Sequence, residues 1–506
     1  MKWPKFWKKD SEEEFVPSEN PKPLNKEILS MDFFCQLSYM AAIATSGISR
    51  SGLFQHAANL PYVSARYFKK ANFVAKAFNH DYAEACRVVG QSTNEPEVKA
   101  FLLRLSGALS SGEDIAIFLE RESQVFSDSY GNEYERRLEV LRKWTDAYVA
   151  LIMTSAIVIV MAVVTMMIGS ITRAFIFSLS TLTIVVTLAG AWLIYHTAPR
   201  EIKVHSLPCR SKEQNVVRGL ARLSIPMMVI IIVAMIVMKI DIGWIMLGSS
   251  FLIFPMGVIC KKDDQNIDKR DTDIAGLLRS LGGVSQAIRA TVSEAMGRLD
   301  FRSVGFLKED VELLYTRLLA GINPNRCWER FVGETGSEQV SRSVRIFWDG
   351  IALGGEPERV GNDASAFAMK IAHLRAQRAL ISSGIQWLAI AMHLVLSVVV
   401  VFIYQTLLTF TNLVNEVTPT AGLEEALSGL TTFGIFGGSS AEIDLLYFMV
   451  IVIIIVLTLA NSFAIYATGG GHIFKLSFYL AIMSAISGAV LIFVPPVVNM
   501  MLTGMM

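Results

Sequence analysis

The stretch "LSSGEDIAIFLE", residues 109–120, returns in altered form as "LGGEPERVGNDA", residues 353–364, and both lead into a long apolar run. The echo extends upstream, as "VVGQSTNEPEVKAFLLRLSGALSSGE" from Val88 and "FVGETGSEQVSRSVRIFWDGIALGGE" from Phe331. With a one-residue gap, Val98, Leu102, Leu105 and Leu109 fall opposite Val340, Val344, Phe347 and Ile351. That spacing puts each set on one face of an α-helix, as a core stripe. Gly112 and the pair Gly354 and Gly355 follow the last apolar position, where a glycine ends a helix by taking positive φ at little cost. One structural unit written twice is therefore expected.

Composition sets the solvent. A chain of 506 residues with 52% hydrophobic residues, 18% charged residues and mean hydropathy +0.44 is too apolar for a water-soluble protein. About seven stretches are long enough to cross a bilayer. They run over 147–169, 174–195, 223–238, 242–259, 384–410, 445–466 and 476–498, the third and fourth being short enough to allow a re-entrant pair instead. Net charge is +1, which points neither to nucleic acid nor to an acidic substrate. Its distribution is informative: all but about two of the 46 Lys and Arg lie in residues 1–146, 197–222, 261–380 or the "GGGHIFK" turn. These segments are expected to be cytoplasmic, and the Lys- and Arg-free segment 411–444 external. Seven crossings from a cytoplasmic N-terminus satisfy every segment and leave the C-terminus outside.

The fold expected is all-α, a polytopic membrane protein with two similar helical bundles. Residues 1–29 form a flexible tail, with Trp3, Phe6 and Trp7 available to a lipid surface. Residues 30–146 form the first cytoplasmic domain, with Ser30 capping a helix whose Phe34, Leu37, Ala41 and Ala44 share a face, and with enough chain for a core of its own. Four spans follow over 147–260, interrupted by the link 197–222. Residues 261–382 repeat the helical domain and 383–506 hold three spans. The five cysteines form no C-x-x-C pair and are expected as reduced thiols.

No catalytic constellation is present. The sequence has no G-x-x-x-x-G-K-[ST], H-E-x-x-H or G-x-S-x-G motif, and its seven His are scattered. "TGGGH", residues 468–472, reads as a turn. The predicted spans contain no Asp, Glu, Lys or Arg; His393, Gln386, Gln405 and Asn461 are their notable polar groups, and interhelical hydrogen bonding is the expected use of His393 and Asn461. No enzyme activity, metal or cofactor is expected.

With "FFCQLSYMAAIATSGIS", "VKAFLLRLSGALSSGEDIAIFLERESQVF" and "IFWDGIALGGEPE" in duplicated arrangement, the chain resembles the platform proteins of type II secretion and type IV pilus machines, built on paired type II secretion system F domains. With about four spans between its domains and three after the second, it looks like the archaeal form serving the archaellum or adhesive pili. The resemblance implies a non-enzymatic platform on which a hexameric ATPase acts so that pilin-like or archaellin subunits are lifted from the bilayer into a filament, with a homodimer as one assembly open to it. It brings no transferable contact motif. From surface charge, Arg87, Lys99, Arg104, Arg326, Arg330 and Arg342 are the candidate ATPase-docking residues, while the cations nearer the spans, Arg136, Arg137, Arg142, Lys143, Arg375 and Arg378, serve the motor or anionic lipid. A secondary transporter or another multi-pass scaffold stays open as an alternative.

Overall fold

The computed structural model describes residues 26–168, 173–417 and 440–503. The Trp-bearing N-terminal tail and most of the 411–444 loop lie outside them. Among the described residues there is no strand, and a single isolated antiparallel bridge joins Val204 to Ser337. The chain is an all-α polytopic membrane protein.

The first helical unit contains α1 (Lys26–Ala44), α2 (Arg50–Ala58), α3 (Ala65–Ala77), α4 (Tyr82–Ser92) and α5 (Pro96–Ser111). It ends in α6 (Ile115–Ile168), which continues unbroken into the first span. Ser30, expected as a cap, is inside α1, which already runs from Lys26. Pro96 opens α5, where its missing N–H costs nothing, and Gly112 closes it at φ +74°. Two spans with a return, α7 (Arg173–Thr197) and α8 (Lys212–Val237), precede α9 (Ile242–Ile288), which is both the fourth span and the first helix of the second unit. At 26 and 47 residues, α8 and α9 are each long and apolar enough to cross.

The second unit continues with α10 (Val292–Met296), α11 (Lys308–Leu319), α12 (Pro324–Thr335) and α13 (Glu338–Ala352), then α14 (Pro357–Val417), which becomes the fifth span. Ser337 caps α13 by accepting from the backbone N–H groups of Gln339 and Val340. Leu353 ends it, and Gly354 turns the chain at φ +89°. Gly355 is fixed by space: a Cβ there would lie 2.7 Å from the Gly350 carbonyl oxygen and 2.8 Å from Thr45 Oγ1. The last spans are α15 (Ser440–Gly469) and α16 (Leu476–Thr503). Seven helices among the described residues are thus long and apolar enough to cross a membrane. α9 and α16 cross closely at Gly243 and Gly488, where a Cβ on Gly488 would sit 2.8 Å from the Gly243 carbonyl oxygen.

The matched stripes are buried as read: Val98, Leu102, Leu105 and Leu109 in α5, Val340, Val344 and Phe347 in α13, with Ile351 packed at the edge. They enter one core, not two. A continuous apolar cluster runs from Leu29 through Phe126 to Ile274 and Ile371. Phe34 of α1 lies 5.0 Å from Phe367 of α14 between ring centroids, and Tyr39 donates to Asp349 at 3.2 Å. The apolar interior of the first unit is therefore continuous with that of the second. Nor do the boundaries at 146/147, 260/261 and 382/383 mark breaks, since each falls inside a continuous helix.

Candidate functional site

The docking cations divide by burial. Arg87 on α4, Lys99 and Arg104 on α5, and Arg326 and Arg330 on α12 are exposed. Arg87 pairs with Glu84 at 2.7 Å, Arg104 with Glu122 at 2.6 Å and Arg330 with Glu334 at 3.1 Å, so part of their charge is already met. Arg342 is a correction: it is buried, 3% exposed, and offers no surface. It lies off the stripe of Val340, Val344 and Phe347, on another side of α13 that is also buried, and its guanidinium finds internal partners. Glu338 accepts from it at 2.9 Å and Asp32 of α1 lies 2.8 Å away as an ion pair. The guanidinium also stacks 4.7 Å from the Tyr62 ring centroid. Arg342 thus fastens the second unit to the first.

Arg375 and Arg378, read as cations facing motor or lipid, are also buried. Arg375 pairs with Glu201 of the link after α7 and with Asp271 of α9. Asp271 accepts in turn from Ser337, the cap of α13. Arg378 donates to three backbone carbonyls, those of Thr468 at 2.9 Å, Pro199 at 2.9 Å and Ala467 at 3.1 Å, which holds the end of α15 against the link. Beside them Lys203 bridges Asp264 at 2.8 Å and Asp268 at 2.7 Å, and Lys475 reaches Asp264 at 2.6 Å. The result is an ionic girdle around the level where the second unit meets the spans. Burial is costly for each charge, and the partners make it tolerable.

The titration of the girdle follows its partners. Burial pushes the Glu201 carboxyl up, but Arg375 and Arg378 outweigh it and hold the group below its usual range. Asp264 behaves alike under Lys203 and Lys475. Asp271 goes the other way: burial lifts it to about 6 against the pull of Arg375 and the Ser337 hydroxyl. The acidic half of this girdle was missed in the sequence. Its signal was there: Asp264, Asp268 and Asp271 are spaced four and three apart, on one face of α9, just beyond a span.

Within the spans, Tyr148 of α6 donates to Asn461 Oδ1 of α15 at 2.6 Å, and the Asn461 amide nitrogen lies 3.1 Å from His393 Nδ1 of α14. An accepting Nδ1 puts the imidazole proton on Nε2, which reaches Ser487 Oγ of α16 at 2.8 Å. His393 and Asn461 therefore tie four spans together, as interhelical glue. Among the described residues no group of three His, Cys, Asp or Glu is placed to hold a metal ion.

Two helical units on one continuous apolar cluster, girdled to seven helices long and apolar enough to cross a membrane, make up a polytopic membrane protein. In sequence the chain is similar to a flagella accessory protein J of Methanocaldococcus jannaschii, 24% identical over 325 residues that cover 62% of this chain and 58% of that relative. A flagella accessory protein J of Methanococcus voltae is 22% identical over 326 residues, covering 61% and 58%. The chain thus spans less than two thirds of the length of the curated relatives it matches. No family model and no solved structure matches it.

Proposed function

We propose that this protein is the non-enzymatic membrane platform of a type IV pilus-like filament machine, of the archaellum or archaeal adhesive-pilus kind. The observation that supports it most is the buried, ion-paired junction between the second helical unit and the spans. Motion imposed on the polar units by a cytoplasmic hexameric ATPase would pass through Arg375 and Arg378 into the bundle against which pilin-like subunits move. Similarity to two proteins named for flagella supports the same reading. In this reading both units face the cytoplasm and residues 411–444 face outward. Cys209, the exposed member of the five free cysteines, then reports the inner side: an impermeant thiol reagent should leave it untouched until cells are permeabilised.

The docking surface proposed is the exposed cation set of α4, α5 and α12. Lys99 and Arg326 have no ion-pair partner among the described residues, so they contribute most to steering an acidic partner. Reversal at Arg87→Glu with Lys99→Glu spares Arg104, which holds Glu122, and should abolish filaments and ATPase co-purification while the protein stays folded in the membrane. Normal filaments together with undiminished ATPase binding at low salt would remove this surface from the mechanism.

A further inference from the structure

A cavity of about 160 Å³ opens inside the ionic girdle. Its walls come from separate segments: Glu201 and Lys203 of the link, Lys261 and Asp264 of α9, Arg375 and Ser382 of α14, and the turn carrying Gly471 and Lys475. The volume is that of about five liquid waters, enough for a phosphate group. Its depth follows from the chain. Lys261 comes just after the fourth span, Ser382 and Ser383 just before the fifth, and Lys475 immediately before α16. Three spans leave the apolar layer here, so the cavity lies at the level of lipid headgroups.

The charges around it do not cancel. Lys203, Lys261, Arg375, Arg378 and Lys475 line it, against the carboxylates of Glu201, Asp264 and Asp268, with Asp271 behind Arg375. Five cations against four carboxylates leave one positive charge. Two observations locate the excess. Arg375 is buried and its Nη2 has no hydrogen-bonding partner among the described residues, a costly state for a guanidinium nitrogen. Lys261 has no acidic partner among the described residues; its ammonium is held 4.3 Å from the Phe478 ring centroid. Burial, then the neighbouring charge of Lys475, presses the Lys261 ammonium toward losing its proton, as expected where an anion is missing. Polar groups complete the lining: Gln386 accepts from Tyr479 through Oε1 at 3.3 Å, which leaves its amide nitrogen free to donate.

We infer that this cavity binds one phosphate group at the membrane surface, carried by an anionic phospholipid, with Lys261 as its principal donor. A phosphodiester has the single negative charge the girdle lacks, and a lipid presents it at this depth. Inorganic phosphate shares the chemistry and is the other source. The proposal needs only that the seven helices cross the bilayer, not that the protein builds a filament.

The test uses the full chain in nanodiscs of phosphatidylcholine, of phosphatidylcholine with phosphatidylglycerol, and of phosphatidylcholine with added inorganic phosphate. Retained lipid is counted by native mass spectrometry and the melting midpoint is recorded. Wild type should retain one phosphatidylglycerol and melt higher with it. Lys261→Gln should weaken retention about tenfold. Lys262→Gln, the same charge change on the exposed neighbour, should not, and Lys261→Arg should bind as wild type and show that the position tolerates substitution. A matching rise in melting midpoint with inorganic phosphate alone supports the site and assigns its ligand to the aqueous phase. Equal retention of the two lipids with no effect of phosphate, or equal losses in Lys261→Gln and Lys262→Gln, overturns it.

Discussion

The two helical units reach the membrane by the same device, a long helix after a glycine stop, but they are joined to it differently. On α14 of the second unit, Arg375 and Arg378 are buried among carboxylates and carbonyls of three other segments. On α6 of the first, Arg137 pairs with Glu133 and Glu27 while its side chain stays 30% exposed. The first unit is instead held by the shared apolar core and by Arg342. Apolar contact is non-directional and tolerates sliding; a buried ion pair fixes geometry, because small displacements strand a charge. The repeat is thus symmetric in helices and asymmetric in charge. The second unit is tied to the spans directly by buried charges, and the first is tied by buried charge only to the second, through Arg342 and Asp32.

The largest test of this contrast attacks what the units share. Leu105 and Phe347 are both fully buried in the continuous core. Leu105→Asp or Phe347→Asp should cost about 5 kcal/mol or more by placing a carboxylate there. Because the core is common, either change should expose both units to limited proteolysis together. Digestion of one unit with the other left intact would show that they are independent after all.

Next comes the anchor. Arg375→Ala leaves Glu201 and Asp271 facing each other in a buried site, and should cost about 3–5 kcal/mol. A melting midpoint in detergent indistinguishable from wild type would mean that the girdle is open to water and does not lock the second unit.

Much of this architecture was legible because it follows from local rules. Helix stops at Gly112 and Gly354, the core stripes of α5 and α13 and the seven apolar runs are each encoded within a few turns of chain. The charge partners were not. Arg342 looks like any helix cation until α1 brings Asp32 and Tyr62 against it, and Arg375 looks like a headgroup contact until the link delivers Glu201. Both pairings join residues far apart in sequence, and nothing periodic announces them. The shared core was hidden for a related reason: a stripe tells that a helix is covered, not by which unit.

A smaller effect tests the seam between the units through pH. Asp363 of α14 is moved from its ordinary 3.8 to about 7, first by burial and then by the charge of Glu120 on α6, with Arg359 pulling the other way. A carboxyl whose folded pKa exceeds its unfolded value binds more protons in the folded state. Its contribution is therefore fully favourable below pH 3.8 and is lost as pH rises through about 7. Asp363→Asn should match wild type near the low end and exceed it at alkaline pH by roughly 1–3 kcal/mol. Parallel pH profiles of variant and wild type would place the titration elsewhere.

The smallest expected change sharpens the comparison most directly. Arg137→Ala removes a guanidinium that stands at a comparable point past its glycine stop as Arg378 does on α14, but in a half-exposed setting. Water can replace its partners, since Glu133 and Glu27 also remain accessible, so the loss should be under about 1 kcal/mol and should shrink further in added salt. Arg378 faces no such alternative: the carbonyls of Pro199, Ala467 and Thr468 that it satisfies are inside the girdle. Measured side by side in the same detergent, Arg137→Ala should leave the melting midpoint within a degree or so of wild type while Arg378→Ala lowers it by several. If the two arginines prove equally costly, the first unit is anchored as firmly as the second, and the asymmetry of charge carries no mechanical meaning.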